Sequence, residues 1–583
     1  MLRLYKHIEP YAAALSLAIV LLFGQAMCDL ALPDYMSDII NKGIMSGDTA
    51  YIMKTGFVML AVSLLGVVCS VSVGYISAKI AAGLGRRLRK NIFRKVESFS
   101  NAEFDKFTTS SLITRTTNDI TQIQTLMVFM IRLIFYAPIM AVGGLIHAVD
   151  TDQSMSWIIA LAVGSLICLI GVMLGMALPK FKLVQTLIDR LNLVVRENLD
   201  GMLVIRAFNT QRFEENRFDR VNKDLTDVNL FINRAMSAMM PTMMLIMNLV
   251  TALIIWVGSH QVSEFHMNVG DMMAYMQYVM QIMMAFLMMS MMFIMIPRAA
   301  VSANRIADVL ETEPSVANTP DGALPLRESE EKKSGQSGIL EFRHVSFAYP
   351  NAKDEVLHDI SFLARPGETT VFIGSTGSGK STLVNLIPRF YDVSAGQIML
   401  NGVDIRRTSL KELRAQLGYV PQKNILFSGT IADNLAYANK EIPEEELWRA
   451  AEIAQVKNFI EAGEDGMSSA IAQGGANVSG GQRQRLSIAR ALARKSQFYI
   501  FDDSFSALDF KTDAALRAAL KKETGHSTVL TVTQRVSTAM KADQIIVLDH
   551  GRIVGAGKHA GLMKDCGIYR EIALSQLTEE DLA

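Results

Sequence analysis

Two clusters of phosphate-handling residues stand about a hundred positions apart in the 583-residue chain. Gly374, Ser375, Thr376, Gly377, Ser378, Gly379, Lys380 and Ser381, followed by Thr382, form a glycine-rich turn of the pattern G-x-x-x-x-G-K-S. Such a turn closes backbone N–H groups on phosphate oxygens. Its lysine reaches the β- and γ-phosphates and its serine hydroxyl reaches Mg²⁺, so a nucleoside triphosphate is the implied ligand. Downstream, the apolar run Phe498–Phe501 delivers Asp502 to that metal. Between them, Val478-Ser479-Gly480-Gly481-Gln482 offers a hydroxyl and bare N–H groups at a helix start, a second anion site. On its own this is also how an ordinary capped helix begins. Its spacing to the other two motifs favours the anion site, facing the open side of a nucleotide held by another cassette.

These groups need particular elements to hold them. Val371–Gly374 reads as a strand end and the residues after Lys380 as a helix, the setting in which the glycine-rich pattern is meaningful. Arg483–Arg494 continues the second motif as a helix. From Ile339 onward, short β-rich runs alternate with helical ones, which predicts an α/β domain over 339–583. Residues 311–338, rich in Pro, Glu, Lys, Ser and Gly without apolar period, read as a linker.

The first half is of another kind. Half of all residues are hydrophobic, which suits a membrane part joined to a soluble one. Six apolar stretches, near 11–32, 57–80, 127–149, 156–178, 239–260 and 272–296, are long enough to cross a bilayer of about 30 Å. Residues 1–310 are therefore predicted to form an all-α transmembrane domain. Residues 85–125 hold eight Lys or Arg and 180–234 hold ten, whereas 33–51, 150–154 and 261–267 together hold only Lys42. This bias places both termini and both long loops in the cytoplasm. The loops keep helical spacing and are expected to form hairpins reaching about 30 Å below the membrane. Lysine and arginine total 57, as do aspartate and glutamate, so charge gives no argument for a nucleic-acid partner. The four cysteines are scattered and read as buried thiols.

Methionine is dense at 236–247 and at 272–295. A flexible thioether wall repacks around varied apolar ligands, and helix packing or lipid contact explains the same residues. Tyr275, Gln277, Tyr278 and Gln281 are candidate polar contacts in the second stretch. Asp29, Arg132 and His147 are ionisable groups within or at the ends of spans.

The combination resembles exporter half-transporters of the ATP-binding-cassette (ABC) family, six spans fused ahead of one nucleotide-binding domain, and the likeness covers nearly the whole chain. It implies ATP with Mg²⁺, adenine stacking on the aromatic of Phe347-Ala-Tyr349, and a Q-loop at Tyr419-Val-Pro-Gln422 whose Gln422 senses the metal and couples to the membrane half. It further implies a signature motif at Ser479, Gly480, Gly481 and Gln482, a D-loop ending in Asp509, coupling helices near Ser111–Asp119 and Asn198–Asn209, and a dimer sharing two ATP sites.

Two positions depart from the family pattern. The catalytic glutamate after Asp502 is Asp503, and the switch histidine is Gln534. Aspartate is one methylene shorter, and a misplacement on the order of 1 Å can cost ~10²-fold in rate. Glutamine hydrogen-bonds a phosphate but cannot carry an imidazolium charge. The expectation is therefore a degenerate-site subunit of a heterodimeric, multidrug-type exporter of amphiphilic small molecules in a bacterial cytoplasmic membrane. Its partner half-transporter would supply the consensus glutamate and histidine. The alternatives are a homodimeric lipid or peptide exporter and an ATP-gated membrane regulator that transports nothing.

Overall fold

A computed structural model describes residues 7, 9–317, 338–350 and 352–578. Most of the expected linker, and the terminal residues, lie outside the described residues. The chain divides into two compact units, Met1–Glu97 with Ser110–Thr312, and Ser98–Thr109 with Glu313–Ala583.

The first unit is helical. Its chain and the adjoining segment run α1 (Glu9–Ile44), α2 (Thr49–Glu97), α3 (Asn101–Lys106), α4 (Thr109–Thr151), α5 (Ser156–Asp200), α6 (Met202–Ala207), α7 (Gln211–Ser263) and α8 (Val269–Glu311). Among the described residues six helices carry a stretch long and apolar enough to span a membrane: α1, α2, α4, α5, α7 and α8. The 49 residues of α2 extend about 73 Å at 1.5 Å each, more than twice a bilayer's hydrocarbon core. Span and basic extension are therefore one continuous helix, and the same holds for α7 with its 53 residues.

Small residues set the packing inside this unit. A Cβ on Gly143 would press on Leu30 Cδ1 at 2.3 Å, so the missing side chain gives Leu30 of α1 its place against α4. Polar groups are tied between helices. Tyr136 Oη donates to Asp29 Oδ2 at 2.7 Å, and Tyr278 Oη donates to Asp34 Oδ1 at 2.6 Å. His147 Nδ1 lies 3.2 Å from Asp34 Oδ2, and Arg132 Nη2 donates to the Ser70 carbonyl at 3.1 Å. The expectation that Tyr275 and Tyr278 offer polar contacts to a ligand does not hold. Both are fully buried, and Tyr275 Oη donates to the Met155 carbonyl at 2.7 Å. Helix packing consumes them because a phenol in an apolar interior needs an acceptor. The methionines divide. Met243 and Met283 belong to the core, whereas Met240, Met244, Met284 and Met288 are exposed on the chain.

The second unit is α/β. Its main strands are β1 (Leu340–Phe347), β2 (Leu357–Ala364), β3 (Thr369–Gly374), β4 (Ala395–Leu400), β5 (Val403–Asp404), β6 (Leu417–Val420), β7 (Gly429–Thr430), β8 (Ala470–Ile471), β9 (Phe498–Asp502), β10 (Thr528–Val532), β11 (Gln544–Asp549) and β12 (Arg552–Gly557). One sheet runs β12-β11-β3-β10-β9-β6, parallel except at the β12 edge. The antiparallel sheet β2-β1-β4-β5 and the β7-β8 pair complete the unit. The uninterrupted burial of β9 and β10 marks strands covered on both faces. Both β3 and β9 end at the same edge of the parallel sheet, where ligands of open α/β folds collect.

The short helix α3 belongs to this second unit. Ala102 packs against its core, and Tyr391 Oη donates to Asp105 Oδ2 at 3.2 Å. Asn101–Lys106 is a separate helix grouped with the second unit, whereas Ser111–Asp119 continues the helix of the third span. The cause is local: Ser100 and Glu103 form a capping box that starts a new helix at Asn101. The second turn helix, α6, falls inside the expected 198–209 segment.

Candidate nucleotide site

The parallel strand β3 ends at Gly374, and the chain turns through Gly377 (φ 83°) and Gly379 (φ 95°) into the helix Lys380–Leu386. The left-handed φ is one reason for glycine at 379; a Cβ there would also press on Leu357 Cδ2 at 2.7 Å. The Lys380 ammonium donates to the Gly374 carbonyl at 2.8 Å, to the Ser375 carbonyl at 2.6 Å and to Ser378 Oγ at 3.3 Å. Burial lowers its pKa, partly opposed by the nearby Asp503 and Asp502.

Across the turn stands Asp502, buried at the end of β9. Ser381 Oγ donates to its Oδ1 at 2.9 Å. Burial raises the Asp502 carboxyl and the adjacent Asp503 adds to that, against the Ser381 bond and Lys380. A hydroxyl and a carboxylate held together are hard oxygen donors of the kind Mg²⁺ takes, so the residues fit that ion. Asp503 follows with a left-handed backbone, φ 46°. Its N–H donates to the Val532 carbonyl at 3.1 Å, which fixes the turn. Burial raises its carboxyl, opposed by Arg535, Lys380 and the nearby Gln422 side chain. Gln422, two residues past β6, thus stands near the carboxylate beside the expected metal position. Gln534 is exposed, and its carbonyl accepts from Gln576 Nε2 at 2.7 Å.

Tyr349 is half-buried with its hydroxyl 2.9 Å from Thr382 Oγ1. Its ring stands edge-on to Phe347 at 5.0 Å and to Tyr391 at 5.3 Å. Phe347 itself is core, which leaves Tyr349 as the aromatic available to a purine.

The second motif lies on another element. Ser479 caps the helix Gly480–Ala493, with Gln482 Oε1 accepting from Ser479 N at 2.8 Å and Ser479 Oγ accepting from Gln482 N at 3.3 Å. Gly480 and Gly481 fill the first turn, and space is open where a Cβ on Gly480 would stand. Asp509 caps the helix Phe510–Glu523, accepting from Thr512 N at 2.9 Å and Thr512 Oγ1 at 2.8 Å, and these bonds hold its pKa low.

Two supporting residues went unnoticed in the sequence. The Gln484 side chain is buried, accepts from Ala507 N at 3.2 Å and donates to the Asp503 carbonyl at 3.4 Å. Arg535 Nη2 donates to the Ser506 carbonyl at 2.7 Å. Both brace the loop from Asp503 to Asp509. Their one sequence signal is adjacency to the motifs.

A phosphate turn on a parallel sheet, an acidic strand end beside it and a six-span helical unit define a membrane-bound ATPase whose hydrolysis is coupled to transport. The chain belongs to the ABC transporters, as an exporter half-transporter: residues 15–306 match the ABC transporter transmembrane region and residues 357–506 the ABC transporter family. It is 40% identical to an uncharacterised ABC transporter ATP-binding protein of Mycobacterium tuberculosis, over 98% of this chain and 97% of that one. It is 35% identical to an uncharacterised counterpart in Bacillus subtilis, YfiB, over 98% of each. An ATP-dependent lipid A-core flippase of Pseudomonas fluorescens is 31% identical, over 98% of this chain and 95% of the flippase. In fold it resembles a bacterial Atm1-family ABC exporter solved with ATP bound, with a TM-score of 0.79 and 23% identity over 98% of this chain and 99% of that one.

Proposed function

We propose that this chain is the degenerate-site subunit of a heterodimeric exporter of amphiphilic small molecules. The observation that carries the reading is the pair Asp503 and Gln534 where the family pattern has glutamate and histidine. In hydrolysis, water oxygen bonds to the γ-phosphorus while the bond to the β-phosphate oxygen breaks, and the water proton goes to a carboxylate. Asp503 has the chemistry for that proton, and burial makes it more basic, but its arm is one methylene shorter than the glutamate of the family pattern. Gln534 brings no positive charge to the developing one on the phosphate.

Binding has what it needs. The turn 374–379, Lys380, Thr382 and Tyr349 take the nucleotide; Ser381, Asp502 and Gln422 take Mg²⁺, which when bound neutralises phosphate charge. The capped Ser479 helix and Asp509 complete the partner's site. ATP drawing two cassettes together shifts the membrane helices between inward and outward states, provided it binds the closed pair more tightly. The exposed methionines of α7 and α8 support an amphiphilic cargo. Both termini lie in the cytoplasm on this reading, in a bacterial cytoplasmic membrane.

A second reading, a homodimeric lipid exporter, is favoured by the likeness to the lipid A-core flippase. One experiment separates the two. The tagged chain is purified from its own cells and its ATPase assayed alone and with whatever half-transporter accompanies it. A distinct companion and a rate insensitive to Asp503→Ala support the heterodimer; brisk hydrolysis by the lone protein, abolished by that change, supports the homodimer.

A further inference from the structure

In the helical unit, α2 carries Gly66, Ser70 and Gly74 along one strip near the middle of its apolar stretch. Their small side chains leave room for two charged groups from neighbouring helices. A Cβ on Gly66 would lie 3.8 Å from Asp29 Oδ1 of α1, and one on Gly74 would lie 3.8 Å from Arg132 Nη2 of α4. The two levels are about 12 Å apart along α2 at 1.5 Å per residue.

Neither charge meets its opposite. Arg132 is exposed on the chain, and its Nη2 donates only to uncharged acceptors, the Ser70 carbonyl at 3.1 Å and Ser70 Oγ at 3.3 Å. Among the described residues its Nε and Nη1 make no hydrogen bond and no carboxylate pairs with it. Asp29 is half-buried. Its Oδ2 accepts from Tyr136 Oη at 2.7 Å, while Oδ1 accepts from no described residue and is not enclosed. Unpaired charge at this depth is costly, and in membrane proteins it marks polar cavities and substrate paths. The two groups are also organised by one backbone feature. Arg132 and Tyr136 begin and end a π-helical turn of α4, a widened turn common at functional sites. Through Tyr136 that turn holds Asp29 beside Arg132 but apart from it.

We propose that this strip binds the head of a zwitterionic amphiphile, its anion on Arg132 and its cation on Asp29 Oδ1. The proposal rests on the exporter reading and names the class of its cargo. Charge-assisted hydrogen bonds of about 2.8 Å at each end leave roughly 6 Å between the ligand's own charges. That suits a phosphate or carboxylate set a few carbons from an ammonium. A purely cationic head would leave Arg132 unanswered and be repelled by it, and a purely anionic head would meet the same fate at Asp29. Val67, Val71 and Tyr75, exposed beside the strip, would take the apolar tail.

The test is native mass spectrometry of the full-length protein in an uncharged maltoside, titrated with three amphiphiles of one tail and different heads: hexadecylphosphocholine, hexadecyl phosphate and hexadecyltrimethylammonium. The zwitterion is expected to bind at least tenfold more tightly than either singly charged analogue. Arg132→Gln should weaken the zwitterion at least tenfold while affinity for the cation holds or rises. Asp29→Asn should weaken it likewise while affinity for the anion holds or rises. A misfolded variant cannot lose one head and keep another, so these opposite shifts separate recognition from damage. Equal affinity for all three heads, a preference that neither variant changes, or loss of all three probes in both variants overturns the proposal. Competition by phosphatidylethanolamine would assign the site to a bilayer lipid and its absence to a single-chain amphiphile, with the head chemistry upheld in both cases. Selective binding without ATP-dependent export in vesicles would strike the exporter reading alone, and export without the selectivity would strike only this site.

Discussion

The side-chain amide of Gln484 donates to the backbone carbonyl of Asp503 at 3.4 Å, joining the helix Gly480–Ala493 to the residue after β9. In the proposed reading the backbone of Asp503 is fixed there and its carboxylate ends one methylene short of the attacking water. Lengthening the arm and restoring a cation should therefore restore catalysis. Asp503→Glu combined with Gln534→His is expected to raise the ATPase rate of the lone purified chain by at least ~10-fold. A phosphate-release assay checks it, and an unchanged rate would show that these two positions are not what limits hydrolysis.

Lys380 gives its ammonium protons to two carbonyls and a hydroxyl of its own turn, the positions from which it would serve phosphate oxygens. Lys380→Ala is expected to weaken ATP binding by on the order of 10²-fold, the loss of charge-assisted hydrogen bonds worth about 2–3 kcal/mol. Equilibrium binding of a fluorescent ATP analogue measures this directly. The fold should persist, since the side chain braces only its own loop.

Ser479 both caps its helix and offers a hydroxyl outward. Ser479→Ala removes the cap, at about 1 kcal/mol of local helix stability. In the heterodimer it should also reduce hydrolysis at the companion's site while leaving nucleotide binding on this chain unchanged. Single-turnover hydrolysis by the complex, set beside ATP affinity of the lone chain, separates the two effects.

Glu103 is buried in α3, where Ser100 N donates to its Oε2 at 2.8 Å, Ser100 Oγ does so at 2.6 Å, and Ser315 N donates to Oε1 at 3.1 Å. Burial alone would raise the carboxyl, but these bonds outweigh it and hold the pKa below its ordinary 4.5. A lowered folded pKa means the stabilisation is complete above the unfolded value and disappears as pH falls through the folded one. Amide exchange at 98–109 and 313–317 should accelerate as pH drops from 5 toward 3, after correction for intrinsic rates. Glu103→Ala should show the faster exchange at every pH, a loss of about 2 kcal/mol.

Much of this was visible in residue order because the nucleotide chemistry is written in contiguous strings. Gly374–Ser381 is a turn and a candidate ligand set at once, and Phe498–Asp502 is a buried strand whose last residue accepts from Ser381 of that turn. The six spans were legible from apolar length alone. Other features depend on residues far apart in the chain. Tyr278 and Asp34 are 244 positions apart, and nothing local distinguishes a tyrosine that will bond a neighbouring helix from one that will line a cavity. Gln484 and Arg535 escaped for the same reason, since their partners are backbone carbonyls and an N–H placed by folding. The short helix Asn101–Lys106 is different: Ser100-Asn-Ala-Glu103 is a capping box written in four consecutive residues.

One short chain of contacts in the second unit has a mechanical meaning. The ring of Tyr349 touches that of Tyr391 edge-on at 5.3 Å, and the Tyr391 hydroxyl ends on Asp105 at 3.2 Å. Asp105 sits on a six-residue helix whose two flanks run straight into the second and third membrane helices. Within this unit, therefore, only the Tyr391 side chain separates the tyrosine that bonds Thr382 from the helix Asn101–Lys106, so a shift of that ring has a two-contact path to it.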